Sequence, residues 1–387
     1  MKFTLSKTDL FKALNLIANV VEKKATMPIL ANVLISAEEG KVFFSGSELD
    51  ITAQTQVPAK VKERGSTTVN GKMFLEVVRE LPEGDVELTL AAGERLEIKA
   101  KNSNVTLVGV SAQEYPSLAG LSLTPQDAIS SALLLEMIES TLYAVSTDET
   151  RFNLGGVCFE SLQGSDAASG TKIVRGKKDS KSSTLRLVAT DGHRLALITR
   201  DVDGLSFTGR VIAPRKGLQE LKKVLEENKD TSIRFGITEG FLVVESPTTK
   251  LTMRLIDGEF PDYTRALPEK DGTKIIVDSK ELSSALRRVA LLVSDKQKCV
   301  KFDIQKDMLH MSSSSPELGD AFVSLPMEYS GKPFVVGFDS RFIRDISDNI
   351  GESKTFVMEL NGETGPGKFY IEGDASSFGI VMPMRIV

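Results

Sequence analysis

The sequence predicts an α+β fold assembled from six copies of one strand–helix–strand–strand–strand unit, paired into three similar domains. Three observations carry this. A short apolar strand, a polar or proline residue and an amphipathic helix recur six times along the 387 residues. Strand-like sequence broken by turn pairs follows each helix. The ends of the second and fourth copies also resemble each other, QEYPSL from Gln113 and GEFPDY from Gly258.

The six copies open as FTLSKTDLFKAL from Phe3, TTVNGKMFLEVV from Thr67, AISSALLLEMIE from Ala128, RVIAPRKGLQEL from Arg210, IIVDSKELSSAL from Ile275 and FVVGFDSRFIRDI from Phe334. In each, the apolar spacing changes from strand-like to i, i+3, i+4 after a residue suited to a helix N-terminus. Ser6 with Asp9, and Asp278 with Glu281, have capping-box spacing. Copies start about 60 to 65 residues apart, except for the third interval, which is about 20 residues longer. The cause is visible at residues 164–183, GSDAASGTKIVRGKKDSKSS, a Gly-, Ser- and Lys-rich stretch that reads as an inserted, solvated surface loop.

Strands are expected after the helices, for example at residues 30–37, 41–46, 86–91, 95–101, 104–110, 185–190, 232–237, 240–246, 251–256, 355–360 and 368–372, with turns at Glu39-Gly40 and Glu239-Gly240. One such unit cannot bury both its helix and its sheet, so units pair. The expected domains are residues 1–122, 125–263 with the inserted loop 164–183, and 264–387. A chain of 387 residues suits three domains of about 125 residues each.

Composition narrows the class. Hydrophobic content of 41% and charged content of 26% are those of a globular protein. MKFTLSKTDL lacks the apolar core of a signal peptide, and no apolar run approaches a membrane span, which implies a cytoplasmic protein. Cys158 and Cys299 lie far apart in apolar strand patterns and read as buried free thiols.

The net charge is −5, yet Lys and Arg gather on or beside the helices: Lys7, Lys12, Lys23 and Lys24; Lys72 and Arg79; Arg215, Lys216, Lys222 and Lys223; Lys280, Arg287, Arg288, Lys296 and Lys298; Arg341 and Arg344. One such run is an ordinary solvated face. Five of six argue for a shared basic surface; the third helix, with Glu136 and Glu139, breaks the pattern. Repeated basic helices would meet phosphates without reading bases, a weak and salt-sensitive contact that permits sliding. A sliding protein stays on DNA by encircling it.

The segments Val188-Ala189-Thr190-Asp191-Gly192-His193-Arg194-Leu195-Ala196, Pro214-Arg215-Lys216-Gly217, Asp257-Gly258-Glu259-Phe260-Pro261-Asp262-Tyr263 and Val381-Met382-Pro383-Met384-Arg385, with the opening Met1-Lys2-Phe3-Thr4 and Met27-Pro28-Ile29-Leu30-Ala31-Asn32, run in order along the chain. Together they resemble the signature segments of the bacterial DNA polymerase III beta subunit family, the replicative sliding clamps. The resemblance implies the DNA clamp fold: a head-to-tail homodimeric ring around double-stranded DNA, helices inside and sheets outside. It also implies partners, namely the replicative DNA polymerase alpha subunit, the clamp loader, and other clamp-binding polymerases and repair proteins. No cofactor, metal or membrane is implied, and the location is cytoplasmic, at the nucleoid during replication.

Carried over by position, the resemblance implies a partner-peptide cleft of Leu154, Thr190, Gly192, His193, Arg194, Leu195, Pro261, Arg265, Phe342, Met382, Pro383, Met384 and Arg385. Apolar walls and adaptable methionines suit short peptide anchors. Asp339 departs from the pattern, placing a carboxylate where an uncharged side chain would line the cleft; Ala266 is small, and the chain ends one residue late at Val387. The implied DNA contacts are Lys24, Arg79, Phe152, Asn153, Arg215 and Lys216. The implied dimer interface sets Val105 and Leu107 against Leu291 and Leu292, four residues that also read as ordinary core. A heterologous contact of this kind closes into a ring or runs on as a filament.

Two motifs suggest enzyme chemistry and fail. Asp191-Gly192-His193 sets a carboxylate beside an imidazole, but adjacency alone makes no acid–base dyad, and a structural or peptide-contacting His193 is the simpler reading. Gly362-Glu363-Thr364-Gly365-Pro366-Gly367-Lys368-Phe369 has phosphate-loop spacing, but Phe369 replaces the Ser or Thr that would hold magnesium and strand sequence follows where a helix should, so it reads as a hairpin turn. The sequence reading is a non-catalytic processivity clamp, with a non-encircling peptide-binding adaptor as the alternative.

Overall fold

The computed structural model describes residues 1–21, 27–48, 50–118, 120–162, 182–268, 271–293, 298–350 and 355–386. Lys23, Lys24, Lys296, Val387 and residues 164–181 of the expected insertion lie outside them.

All six expected strand-to-helix transitions are present. Strands Lys2–Ser6, Gly65–Asn70, Asp127–Ser130, Gly209–Pro214, Thr273–Asp278 and Phe334–Asp339 run directly into helices α1 (Lys7–Val20), α2 (Gly71–Glu80), α3 (Ser131–Leu142), α4 (Arg215–Glu227), α5 (Ser279–Ala290) and α6 (Ser340–Asn349). The last strand residue supplies the cap where its side chain carries an oxygen that can accept. Ser6 accepts from the Asp9 N–H at 3.1 Å, Asn70 from Met73 at 3.0 Å, and Asp278 from Lys280 and Glu281, both at 2.9 Å. Each satisfies one or two backbone donors left over by the first helical turn. The capping box at α1 is only half realised, because the Asp9 carboxylate accepts the Ser6 hydroxyl at 2.6 Å.

By contacts the chain forms two compact units, Met1–Ala132 with Lys216–Leu255, and Leu133–Arg215 with Ile256–Val387. In the first, one sheet runs in the order Asp127–Ser130, Ser232–Thr238, Phe241–Glu245, Thr249–Arg254, Ile51–Pro58, Lys41–Ser47, Asn32–Glu38, Gly65–Asn70, Ser103–Val110, Arg95–Ala100, Asp85–Ala91, Lys2–Ser6 and Lys60–Glu63. Its centre is the antiparallel join of Thr249–Arg254 to Ile51–Pro58, with Thr249 opposite Thr55 and Met253 opposite Ile51. Helix α1 lies on this sheet beside α2, burying Leu10, Leu14 and Ile17. It approaches so closely that a Cβ on Gly46 would stand 2.8 Å from the Ile17 side chain.

The second unit holds two sheets. One runs Gly209–Pro214, Gly156–Leu162, Ser182–Thr190, Arg194–Asp203, Ser377–Val381, Gly367–Ile371, Thr355–Leu360 and Thr273–Asp278; the other runs Gly319–Pro326, Met308–Ser315, Cys299–Gln305 and Phe334–Asp339. Helices α5 and α6 pack together over a core of Leu282, Leu286, Phe302, Phe338, Ile343, Ile346, Phe356 and Phe369, all essentially inaccessible. The 362–369 segment is the turn of a hairpin, with Met358 paired to Phe369 and Glu359 to Lys368. Ser182 and Ser183, taken from sequence as the end of the insertion, already belong to a strand, where Ser183 pairs with Val202. Cys158 is buried and Cys299 half-buried, and both are free thiols.

Arg200 ties helix α3 to the 374–376 turn, donating to Glu136 at 2.5 Å, to Asp374 Oδ2 at 2.5 Å and to Ser376 at 2.6 Å. Burial works against the charged form of Asp374, but hydrogen bonds from Ser376 and Arg200 outweigh it and hold the carboxyl below its ordinary value of 3.8. A depressed folded pKa contributes stability that is complete above the unfolded value and is lost as pH falls through the folded one. Asp374→Asn should therefore be less stable than the parent at neutral pH, with the gap closing as pH falls below the ordinary carboxyl value of 3.8; urea midpoints measured across pH check this.

Candidate partner-peptide site and interfaces

Residues 190–195 and 382–385, expected at one cleft though far apart in sequence, are brought near each other because Arg194–Asp203 pairs with Ser377–Val381, Arg194 opposite Val381 and Leu195 opposite Ile380. The ladder continues past the strand end, where the Met382 N–H donates to the His193 carbonyl at 3.1 Å. One residue pair further, the Met384 N–H donates to the Gly337 carbonyl at 2.8 Å, seating the C-terminal segment on the strand that leads into α6.

Thr190 to Arg194 form a self-bonded turn. The Thr190 hydroxyl donates to the Arg194 carbonyl at 2.6 Å and accepts from the Gly192 N–H at 3.1 Å. Asp191 Oδ1 accepts from the His193 and Arg194 N–H groups at 2.9 and 3.0 Å. Gly192 sits at φ 88°, a left-handed backbone that favours glycine, and a Cβ there would meet only the movable end of Arg151, Nη1 at 2.9 Å. Arg151 Nη1 in turn donates to the Asp191 carbonyl at 3.2 Å. The Asp191 carboxylate is thus engaged by backbone donors and by Arg194, in keeping with a structural turn.

Arg194 is the polar centre of the site. Its Nε donates to Asp191 Oδ2 at 3.0 Å, Nη1 to Asp345 Oδ2 at 2.6 Å and Nη2 to the Tyr143 carbonyl at 2.7 Å. The guanidinium lies over the Phe342 ring at 4.5 Å from its centroid and the Tyr143 ring at 5.5 Å. One side chain therefore joins the end of α3, the 190–194 turn and α6. Burial pushes the Tyr143 hydroxyl well above its ordinary pKa, so it stays protonated. Sequence reading missed Tyr143, Asp345 and Arg151; Asp345, three residues after Phe342, was the one with a helical-spacing signal.

The apolar wall is a second cluster. Leu154 and Leu195 are buried with Ile212, Phe260, Tyr263, Phe378 and Ile380, and Ile256, Ala266 and Leu267 are partly covered beside them. Tyr263 is fixed from below: its hydroxyl donates to Glu160 at 2.5 Å and accepts from Arg186 at 3.1 Å. Pro261 and Arg265 flank it at the surface, Arg265 paired with Asp262 at 3.1 Å. Phe342 is half-buried against the α5–α6 core, Pro383 is half-buried, and Met382, Met384 and Arg385 are exposed.

Asp339 corrects the sequence reading. It does not line the cleft: it is 3% exposed, caps α6 by accepting from the Arg341 N–H at 3.0 Å, and is gripped by Arg341 Nε and Nη2 at 3.0 and 2.7 Å. Its charge is neutralised within the first helical turn.

The residues expected at DNA are less uniform. Arg79 is exposed in the last turn of α2. The Phe152 ring is 63% exposed, and neighbouring Asn153 is held by the Glu259 carbonyl at 3.2 Å. Arg215 is half-buried, its N–H donating to the Gly155 carbonyl at 3.1 Å, while the Lys216 ammonium is engaged by Glu48.

At the expected dimer interface, Val105 and Leu107 are half-buried opposite Ile98 and Leu96. On the other side of their strand only Gly109 and Val110 are paired among the described residues, so residues 103–108 present an open edge. Val108, missed from sequence, is 75% exposed. Leu291 is 76% exposed just beyond α5, and Leu292 is half-buried. In the same unit Gly319–Pro326 is an edge strand carrying exposed Phe322. Open, apolar strand edges are surfaces that pair with another chain.

The Arg194 network sets a stability expectation. Arg194→Ala strips three charge-assisted bonds from largely covered partners and should cost about 2 to 3 kcal/mol. Arg194→Lys should recover less than half of it, since a single ammonium cannot reproduce the fork; denaturant unfolding of the two variants checks both.

Among the described residues no group of His, Cys, Asp and Glu is arranged to hold a metal ion, and no helix is long and apolar enough to cross a membrane. Residues 1–119, 128–262 and 264–385 match, in turn, the N-terminal, central and C-terminal domains of the DNA polymerase III beta subunit. The beta sliding clamp of Caulobacter vibrioides is 31% identical over 389 residues, covering 100% of both chains, and that of Vibrio cholerae 27% over 387 residues, again 100% of both. The crystal structure of a DnaN sliding clamp from Bartonella birtlesii bound to griselimycin superposes with a TM-score of 0.89 at 30% identity over 100% of each chain. The DNA polymerase III subunit beta of Pseudomonas aeruginosa gives 0.86 at 27%, also over 100% of each. Repeat, fold and whole-length likeness agree: the chain belongs to the DNA polymerase III beta subunit family, the beta sliding clamps.

Proposed function

We propose that this chain is a DNA sliding clamp, the processivity factor of a replicative DNA polymerase. The match of all three family domains, in order and along the whole chain, carries this reading. The clamp encircles duplex DNA without sequence specificity, and its three domains, residues 1–122, 125–263 and 264–387, each contribute two helices to the lining of the hole.

The ring is a head-to-tail homodimer. The open edge at residues 103–108 of one protomer, with Val105, Leu107 and exposed Val108, faces the Leu291–Leu292 corner and the Gly319–Pro326 edge of its partner. Two unpaired edges on different parts of one chain favour heterologous closure, because each supplies the backbone partners the other lacks. Arg79, Phe152, Asn153, Arg215, Lys216 and Lys24 contact the duplex. Such contacts hold phosphates and are weakened by salt.

The cleft of Leu154, Leu195, Pro261, Phe342, Met382 and Met384 takes short apolar peptide segments of the polymerase alpha subunit, the clamp loader and repair proteins. Buried Leu154 and Leu195 at its floor and two exposed methionines at its mouth support this. The clamp is non-catalytic and works in the cytoplasm at the nucleoid.

The test is retention on nicked circular DNA after loading by a compatible clamp loader with ATP, followed by linearisation in moderate salt. Retention on circles with loss from cut ends is expected; equal retention on both would mean direct binding and a non-encircling adaptor. Replacing Leu291 and Leu292 together by Asp should give folded monomers by analytical ultracentrifugation, because the charges fall at the interface and not in the domain cores. A tight dimer of that variant would remove the interface. Deleting residues 382–387 should leave the chain dimeric by analytical ultracentrifugation and abolish binding of partner peptides, as fluorescence anisotropy reads directly.

A further inference from the structure

Four polar side chains form a row across neighbouring strands of the larger sheet in the second unit: Arg210 stands opposite Glu160, Glu160 opposite Arg186, and Arg186 opposite Thr199. Opposed residues share a face of the sheet, and these four are linked in turn. Arg210 Nε donates to Glu160 Oε1 at 2.6 Å, Arg186 Nη1 lies 3.8 Å from Glu160 Oε2, and Arg186 Nε donates to the Thr199 hydroxyl at 3.1 Å. Glu160 and Arg186 are only 6% and 3% exposed, deep positions for charged groups.

The Tyr263 hydroxyl completes the row. It donates to Glu160 Oε2 at 2.5 Å and accepts from Arg186 Nη1 at 3.1 Å, and the Arg210 guanidinium lies 5.2 Å from the ring centroid. Burial raises this hydroxyl to about 12, so it remains a donor. Tyr263 begins the short turn Tyr263–Ala266 and packs edge-on against Phe260 at 6.5 Å, in one cluster with Leu154 and Leu195. Among the described residues, segment 257–267 is hydrogen-bonded to the rest of its unit at two places: the Glu259 carbonyl, which accepts from Asn153, and the Tyr263 hydroxyl.

A buried ion pair adds little net stability over apolar residues of similar size, whereas a fully bonded polar network holds one geometry. We propose that the Arg210–Glu160–Arg186 row, acting through the Tyr263 hydroxyl, positions the 260–267 wall of the peptide cleft and so sets the affinity for partner peptides without touching them. The proposal rests on the peptide-cleft reading above. Without the hydroxyl the ring still packs, but the segment that carries Pro261 and Arg265 is held only at Glu259 and shifts against Leu154 and Leu195.

Tyr263→Phe keeps the ring and removes the bond. A short fluorescent peptide carrying a Leu-Phe anchor pair, titrated against the full-length variant by anisotropy, should bind about fivefold more weakly than to the parent, on the order of one lost hydrogen bond. Amide hydrogen exchange across residues 260–267 should quicken in the same variant. Arg210→Gln, at the exposed end of the row, should weaken binding about threefold. The double variant should bind within about twofold of Tyr263→Phe, because both changes act through one hydroxyl. Ser313→Ala, which strips a buried 2.8 Å bond to the Val289 carbonyl elsewhere in the unit, is the control and should bind within about twofold of the parent. Parent-like binding by Tyr263→Phe, or unchanged exchange at 260–267, overturns the positioning role and leaves the cleft standing. An equal loss in Ser313→Ala does the same, since affinity would then follow overall stability. Absence of binding by the parent overturns the cleft reading itself. Should Tyr263→Phe not fold, Arg210→Gln decides, and parent-like affinity in that variant overturns the proposal.

Discussion

The antiparallel ladder between Arg194–Asp203 and Ser377–Val381 is the interaction on which the functional surface depends. It makes one sheet out of strands from the middle and the end of the chain. Backbone hydrogen bonds of this kind fix register, since a slip of one residue would turn every side chain to the wrong face. With the register set, Leu195 joins the buried apolar wall, Arg194 reaches α6, and the final segment leaves the sheet beside His193. A comparable join, Thr249–Arg254 to Ile51–Pro58, makes one sheet in the other unit. The central repeats therefore divide their contacts between the two compact units.

Upon that ladder the site is held by polar bonds where a peptide cleft would otherwise be soft. The 190–194 turn bonds to itself through Thr190 and Asp191, and Arg194 satisfies two carboxylates and a carbonyl while lying over two rings. Largely covered charges are tolerated here because each is paired and hydrogen-bonded. The turn and Arg194 are thus densely hydrogen-bonded, while Met382 and Met384 beside them are exposed.

Charge follows a similar economy. The chain is acidic overall, and several helix-borne cations are neutralised nearby: Lys7 pairs with Glu83 at 2.9 Å, Arg287 with Asp348 at 3.7 Å, and Lys216 with Glu48. Exposed Lys12, Arg79, Lys280 and Arg288 remain on the helices. A surface partly neutralised in this way holds phosphates loosely, which is compatible with sliding and leaves retention to topology.

The sequence by itself determined the six strand-to-helix transitions, because apolar period and capping chemistry are local properties, and Ser6, Asn70 and Asp278 cap the helices they precede. It also determined the hairpin at 362–369, where Phe369 and the following strand pattern excluded a phosphate loop. The motif around His193 and the terminal Met-Pro-Met stood out as two separate segments, without revealing the strand pairing that joins them. Only the tertiary structure decided that Asp339 is buried as the cap of α6, that Asp345 and Tyr143 hold Arg194, and that the Tyr143 hydroxyl is buried without a hydrogen-bond partner among the described residues. Such facts depend on residues up to 151 positions apart meeting through strand pairing, and no local pattern encodes which distant carboxylate an arginine will find.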